Sequence, residues 1–445
     1  MKAFYKSFYL NPLFYLAGAI VCLVFAFSFF LIPLFIVAQI LLVVLLVLLF
    51  LDVVFLYAKS NSFIAERHIN LRLSNGDKNA VNIHLQSNYS FPVSIDIIEE
   101  LPVQLLSKVI ELKPLLLKAN ASNIVNYYVT PTERGEYNFG NTLVFITSPL
   151  KLIKRRFEFK TSQTVFVYPS YIQMQKFSLS AVSNSLQQTG SKRVRKSGNS
   201  VEFEQIKEYV QGDDYRTINW KATARKSQLM VNTYVDEKSQ QVYCLIDKSR
   251  NMKMPFEGLS LLDYSINASL ALSNIAIQKQ DKAGLVCFAE KIDCFVPADR
   301  KPMQMEGLLQ QLYKQETMFK DADYESLYAQ VRYRIKQRSL LILFTNFESE
   351  YSLKRQLPYL KQIANHHLLL VVFFENTEIK KILESDASNT EEIYIQTIAD
   401  KFLYEKKLML KELRHNGITA IITTPAQLTV NTINKYLEIK RRQEL

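Results

Sequence analysis

Two clusters in this 445-residue chain combine residue types that could do chemistry. The first is Asp247-Lys248-Ser249-Arg250-Asn251, a carboxylate followed at alternate positions by oxygen-bearing side chains. Three such oxygens can converge on one hard cation such as Mg²⁺. Lys248 and Arg250 add positive charge beside them and oppose that cation. A degenerate site used for packing or partner contact is the leading expectation, and divalent-metal chemistry at Asp247, Ser249 and Asn251 is the alternative. The second cluster runs Gly212-Asp213-Asp214-Tyr215-Arg216-Thr217-Ile218-Asn219-Trp220-Lys221-Ala222-Thr223-Ala224-Arg225. Adjacent carboxylates could serve acid–base catalysis. Neighbours on a helix do not share a face, however, and Asp213 is placed to cap a helix beginning near Asp214. Arg216 and Trp220, four apart, would then lie on one side. Asp213, Asp214, Arg216, Trp220, Lys221 and Arg225 therefore read as an interdomain or partner surface, since Trp and Arg are favoured anchors.

Other catalytic signatures are missing. The chain has no Gly-x-x-x-x-Gly-Lys-[Ser/Thr] loop, no His-Glu-x-x-His and no Gly-x-Ser-x-Gly. His366 and His367 would point to opposite sides where a strand begins, which argues against joint metal ligation. No catalytic or cofactor-binding residue is assigned, and the chain reads as a non-enzyme. The basic run Lys192-Arg193-Val194-Arg195-Lys196 lacks interleaved aromatics, so it reads as a solvated linker and nucleic acid is not an expected partner.

The elements that must position these clusters follow from periodicity. No charged residue or His lies between Lys6 and Asp52. That run is about twice the roughly 20 residues that cross a bilayer, with Pro33 near its middle. The expectation is a transmembrane helical hairpin within residues 1–60, its spans at about 10–31 and 34–57. Lys2, Lys6, Lys59 and Arg67 flank it, which puts both termini and the soluble bulk on the cytoplasmic side. Nearly all of the +12 formal charge lies after Asp52 and suits lipid headgroups or an acidic partner. Over residues 61–170 the period changes to two, as in Ile69, Leu71, Leu73 and then Val81, Ile83, Leu85 across Asn75-Gly76. That reads as a hairpin within a small antiparallel β-sandwich. Further strands are predicted at Val93–Ile98, Val109–Leu117, Ile124–Thr130, Tyr137–Phe145 and Thr164–Tyr168. Residues 171–240 read as a linker carrying the basic run and the Gly-Asp-Asp segment. From 241 to 445, strands at Val242–Ile246, Leu340–Phe344 and Leu368–Phe374 alternate with helices, which predicts an α/β doubly wound domain. Thr424 with Pro425 predicts the cap of the last helix. The four Cys, among them Cys287 and Cys294 across a turn, read as thiols of a reducing compartment.

Two resemblances sharpen these expectations. The Asp-x-Ser-x-Asn run at a strand end resembles the metal site of von Willebrand factor A domains. Those domains also use an Asp from a later strand end, and the resemblance places that position at Asn346, after Thr345. The Gly-Asp-Asp-x-Arg-x-Ile-x-Trp-Lys-x-x-Ala-Arg run resembles the bacterial "domain of unknown function 58" family. Arg134-Gly135-Glu136-Tyr137 with Gly140, Ser148-Pro149-Leu150 and Val167-Tyr168-Pro169 agree with it. The resemblance implies a membrane-anchored protein with a von Willebrand factor A-like last domain, encoded beside MoxR-type AAA+ ATPases. The reading that results is an adaptor in the bacterial inner membrane that presents its α/β domain to such an ATPase.

Overall fold

The computed structural model describes residues 2–31, 33–59, 62–105, 114–174, 202–210, 213, 215–226, 228–235, 239–317, 319–385 and 389–442. The chain divides into two compact units, Met1–Tyr168 and Pro169–Leu445. The basic run at 192–196 with residues 175–201 of the expected linker, and part of the Val109–Leu117 strand, lie outside the described residues, as do Gly212 and Asp214.

In the first unit, helices Pro12–Phe27 and Pro33–Tyr57 carry the uncharged run. The second is long and apolar enough to cross a membrane, and its central window is almost wholly uncovered by the rest of the chain. Its only charged residue, Asp52, is fully buried. The Asp52 carboxylate accepts the Leu152 and Ile153 N–H groups, both at 3.1 Å, and the Ser148 hydroxyl. One turn later the Leu56 carbonyl accepts from the Tyr89 hydroxyl (3.0 Å) and from Arg155. The Arg155 guanidinium lies 4.5 Å from the centres of both the Tyr57 and Phe157 rings. A cation over the exposed carbonyls of a helix C-terminus is favourable. The chain ahead of the helices is tied down as well, because Phe8–Leu10 pairs antiparallel with Ile153–Phe159.

Three sheets enclose the core of this unit. A five-stranded sheet runs in the order Phe8–Leu10, Ile153–Phe159, Thr142–Thr147, Val93–Glu99, Leu115–Leu117. Phe63–Ile69, Asn79–Ser87 and Ser122–Val129 form an antiparallel second sheet. Two sequence expectations are corrected here. Asn75-Gly76 does form a turn, with Gly76 at φ 75°, but it does not close a hairpin. Arg72–Ser74 leaves to pair in parallel with Gln163–Tyr168, while Asn79–Ser87 pairs with Phe63–Ile69. The Asn79 amide holds this arrangement by bonding the Ser74 and Asp77 carbonyls at 2.9 Å. The single run expected over Tyr137–Phe145 is two strands in different sheets, Gly135–Phe139 and Thr142–Thr147. They break at Gly140, where a Cβ would stand 2.6 Å from the Glu100 Cβ.

The second unit begins with a two-stranded ribbon, Glu202–Glu208 against Met230–Val235, in the segment expected to be linker. Beyond it stands a six-stranded sheet in the order Ile292–Asp299, Lys282–Phe288, Gln241–Asp247, Leu340–Phe344, Leu368–Phe374, Thr419–Thr423. All strands are parallel except the first. Val242, Cys244 and Ile246 face one helix layer, and Tyr243 and Leu245 face the other. Burial on both faces explains the uninterrupted apolar runs. Ser260 and Asp263 form a reciprocal cap for helix Leu261–Gln278. The Thr424 side chain makes no capping bond, contrary to expectation, and Pro425–Gln427 forms a 3-10 turn before helix Leu428–Arg442.

Replacing Asp52 with Ala leaves two buried N–H groups and a hydroxyl without their acceptor. The expected cost is about 2–4 kcal/mol, read as a lower unfolding midpoint of the full chain in nonionic micelles at unchanged helix content. Asp52→Asn, which keeps one acceptor oxygen, should fall between. An Ala variant as stable as the parent would refute the role given to this carboxylate.

Candidate functional site

Strand order decides where the second unit can hold a site. The chain runs outward from Gln241–Asp247 in both directions, so the order reverses at that strand. In open α/β sheets the crevice at the carboxyl end of such a switch point is the usual ligand position. Asp247 ends the strand there and is 2% exposed. One carboxylate oxygen accepts the Ser249 N–H at 2.8 Å. The other accepts the Thr345 hydroxyl at 2.7 Å, with the Tyr324 hydroxyl oxygen 3.4 Å away. Tyr324 and Thr345 bond each other at 2.7 Å, so the three form one buried network. Burial pushes the Asp247 carboxyl above its ordinary range, and these donors oppose that shift. Burial, and then the charge of Asp247, hold the Tyr324 phenol well above its ordinary value.

The flanking cations turn away. The buried Lys248 ammonium pairs with Asp293, and Arg250 pairs with Asp321 at 3.3 Å. The Asn251 amide donates to the Asn346 carbonyl at 3.3 Å. The Asn346 side-chain oxygen accepts from the Lys406 ammonium at 2.7 Å, and Lys406 also reaches the Phe347 carbonyl. Burial pushes the Lys406 ammonium down to about 8, so it keeps its charge at neutral pH. Sequence order therefore brings Asp247, Ser249, Asn251 and Asn346 to one strand-end region, as the resemblance places them. Thr345, Tyr324 and Lys406 were not singled out as site residues. The signal for Thr345 was its position after an all-apolar strand; Lys406 lies deep in helix Thr390–His415 and had none.

This donor set does not fit a resident Mg²⁺. There is one carboxylate, and both its oxygens are taken by protein donors. The Asn346 oxygen that would stand in for a second is held by an internal ammonium. Among the described residues, no group of three or more His, Cys, Asp or Glu side chains is placed to hold a metal ion.

The Gly-Asp-Asp segment is arranged differently from expectation. Asp213 caps no helix; its carboxylate accepts from Lys207 at 2.7 Å and from the Val210 N–H at 3.1 Å. The Lys207 bond is the main reason its pKa lies below the ordinary value. Arg216 and Trp220 do not share a helix, since Tyr215–Thr217 is a 3-10 turn and the helix is Trp220–Lys226. Asn219 organises the segment. Its side chain caps that helix through the Ala222 N–H (3.0 Å) and donates to Asn232 (2.8 Å). Trp220 is 70% exposed and Tyr215 69%, with the Arg216 guanidinium 5.8 Å from the Tyr215 ring centre. Lys221 and Arg225 are exposed beside them. Nothing buries the Trp as an internal anchor. His366, exposed, and His367, buried, both line one cleft.

Residues 205–402 match a family model. The family is the one described as "Protein of unknown function DUF58". The match takes in the ribbon, the Gly-Asp-Asp segment and the sheet through Leu368–Phe374. A curated relative, "Uncharacterized protein YeaD" of Bacillus subtilis (strain 168), is 28% identical over 195 residues, which are 42% of this chain and 48% of the relative. The chain thus matches about half the length of that protein. Among solved structures, "conserved hypothetical protein BatB" of Bacteroides thetaiotaomicron is 12% identical and covers 46% of this chain and 100% of its own, with a TM-score of 0.30. The CARDB domain of PF1109 from Pyrococcus furiosus is 9% identical and covers 24% and 94%, with a TM-score of 0.16. These overlays are too loose to carry an argument.

Thr345→Val keeps the side-chain shape and removes the hydroxyl that Asp247 accepts. It should cost about 1–3 kcal/mol in urea unfolding of the full chain in micelles, because the carboxylate stays buried and the phenol loses its relay. A loss within measurement error would show that the network is not needed.

Proposed function

We propose that this protein is a non-enzymatic adaptor of the bacterial inner membrane. Helices Pro12–Phe27 and Pro33–Tyr57 would form a two-span hairpin, with both termini and the soluble domains in the cytoplasm. A von Willebrand factor A-like α/β domain would then be presented to a MoxR-type AAA+ ATPase. The observation that carries this reading is the exposed aromatic pair of the Gly-Asp-Asp segment. A Trp left 70% exposed in the same short segment as the exposed Tyr215, Arg216 and Lys221 is costly to keep in water, and this is the composition of an interface centre. Supporting it, the Asp247 network is satisfied internally and has no free donor aimed at a reacting group. The length and composition of Pro33–Tyr57 support the anchor, and the Lys and Arg residues that flank the apolar run support the orientation.

The test is affinity purification of the full chain from membranes with and without ATP, scored for a co-purifying AAA+ ATPase. An ATP-sensitive association is expected, falling at least tenfold in Trp220→Ala with Tyr215→Ala. No association in either nucleotide state would sink the adaptor reading. Digestion of the C-terminal tail by protease added to sealed spheroplasts would sink the orientation.

A further inference from the structure

At the end of the sheet opposite Asp247 lies a cleft of about 300 Å³ that the adaptor reading does not use. It forms where helix Tyr324–Arg334 and helix Glu350–His366 deliver their C-terminal turns to the starts of strands Leu340–Phe344 and Leu368–Phe374. Its polar lining is Tyr328, Arg332, Lys336, Arg338, His366 and His367. Among the described residues, no carboxylate lines it and Arg332 bonds only the Tyr328 hydroxyl, at 2.9 Å. The Lys336 ammonium lies 5.3 Å from the Tyr333 ring centre.

Basic residues near helix C-termini have an ordinary explanation, since each terminus carries about half a negative charge. Two termini therefore offset about one charge. Here three permanent cations and two imidazoles share a single cleft. His367 supplies an independent observation. It is 5% exposed, and its Nδ1 has no hydrogen-bond partner among the described residues. A buried ring nitrogen left unmatched costs about 1–3 kcal/mol. Burial, and then the neighbouring His366 and Arg338, hold the His367 imidazole below its ordinary pKa, so at neutral pH it is a neutral group able to donate from one nitrogen. Val331 and Ile363 add an apolar wall.

We propose that this cleft binds a small phosphate-bearing anion, held by the guanidinium groups of Arg332 and Arg338 and the Lys336 ammonium, with His367 donating from the floor. Guanidinium groups match phosphate oxygens in paired bonds. The volume is at the lower limit for ligand sites, which favours an inorganic phosphate, a pyrophosphate or one headgroup over a whole nucleotide. The inference does not depend on the ATPase partner.

The test is calorimetry on the full chain in nonionic micelles at low salt, titrated with pyrophosphate and, separately, with short-chain phosphatidic acid in mixed micelles. Binding is expected to weaken about tenfold in Arg338→Ala and further in Arg338→Ala with Lys336→Ala. Both side chains are exposed, so the fold should survive. Lys401→Ala, a surface change elsewhere, should leave binding unaltered. Heat with pyrophosphate that is lost in these variants supports the site with a soluble ligand. Heat with phosphatidic acid alone, lost in the same variants, supports it with a lipid headgroup. No heat with either probe, or heat indifferent to Arg338 and Lys336, overturns the proposal.

Discussion

A carboxylate in an otherwise apolar helix is the constraint on which the first unit is organised. An ionised group removed from water must be paired or fully hydrogen-bonded. Asp52 meets that demand with two backbone N–H groups and a hydroxyl from residues 148–153. The helix therefore cannot turn about its axis or slide along it without stranding the charge. Tyr89 and Arg155 fix the next turn, so the end of the helix belongs to the β core rather than to a flexible stalk. From Pro33 to Asp52 is 20 residues, about 30 Å of helix at 1.5 Å per residue. If that segment spans a bilayer, Asp52 falls at its edge and the β domain sits against the headgroups with no spacer between.

The second unit resolves a different conflict. Its topology delivers Asp247 to the position where open α/β sheets gather ligands, yet the carboxylate is sealed by Thr345, Tyr324 and the Ser249 N–H. Lys406 does the equivalent for Asn346. The Asp247 and Asn346 side-chain oxygens meet donors of the chain itself, whereas the buried Asn251 Oδ1 has no partner among the described residues. The strand end is thus held together largely by bonds within the chain.

Much of this was legible in the sequence where one physical signal dominated. Leu340–Phe344 and Leu368–Phe374 occur where their apolar runs put them, since strands covered on both faces need no polar residue. The uncharged N-terminal run likewise marked its helices. Legibility failed where pairing is long-range. Arg72–Ser74 and Asn79–Ser87 look like one hairpin because turn chemistry is local, whereas Arg72–Ser74 pairs with residues about 90 positions away and Asn79–Ser87 with Phe63–Ile69 and Ser122–Val129. Ile153–Phe159 was missed because Lys154, Arg155 and Arg156 mask its alternation, and one of them is the cation that caps a helix. The site suffered similarly. Asp247 announced itself, but its true partners come from three separate elements, and the sequence spacing of Asp213 and Asp214 suggested a cap that Asn219 supplies instead.

The second unit keeps groups that an outside partner could meet. Polar groups that the fold satisfies internally, such as Asp52, Asp247 and Asn346, have little left to offer a ligand. Groups left unmet include an exposed Trp and Tyr on the Gly-Asp-Asp segment and a cleft of cations around an unmatched imidazole. The first asks for apolar contact and the second for negative charge, so a single partner need not satisfy both.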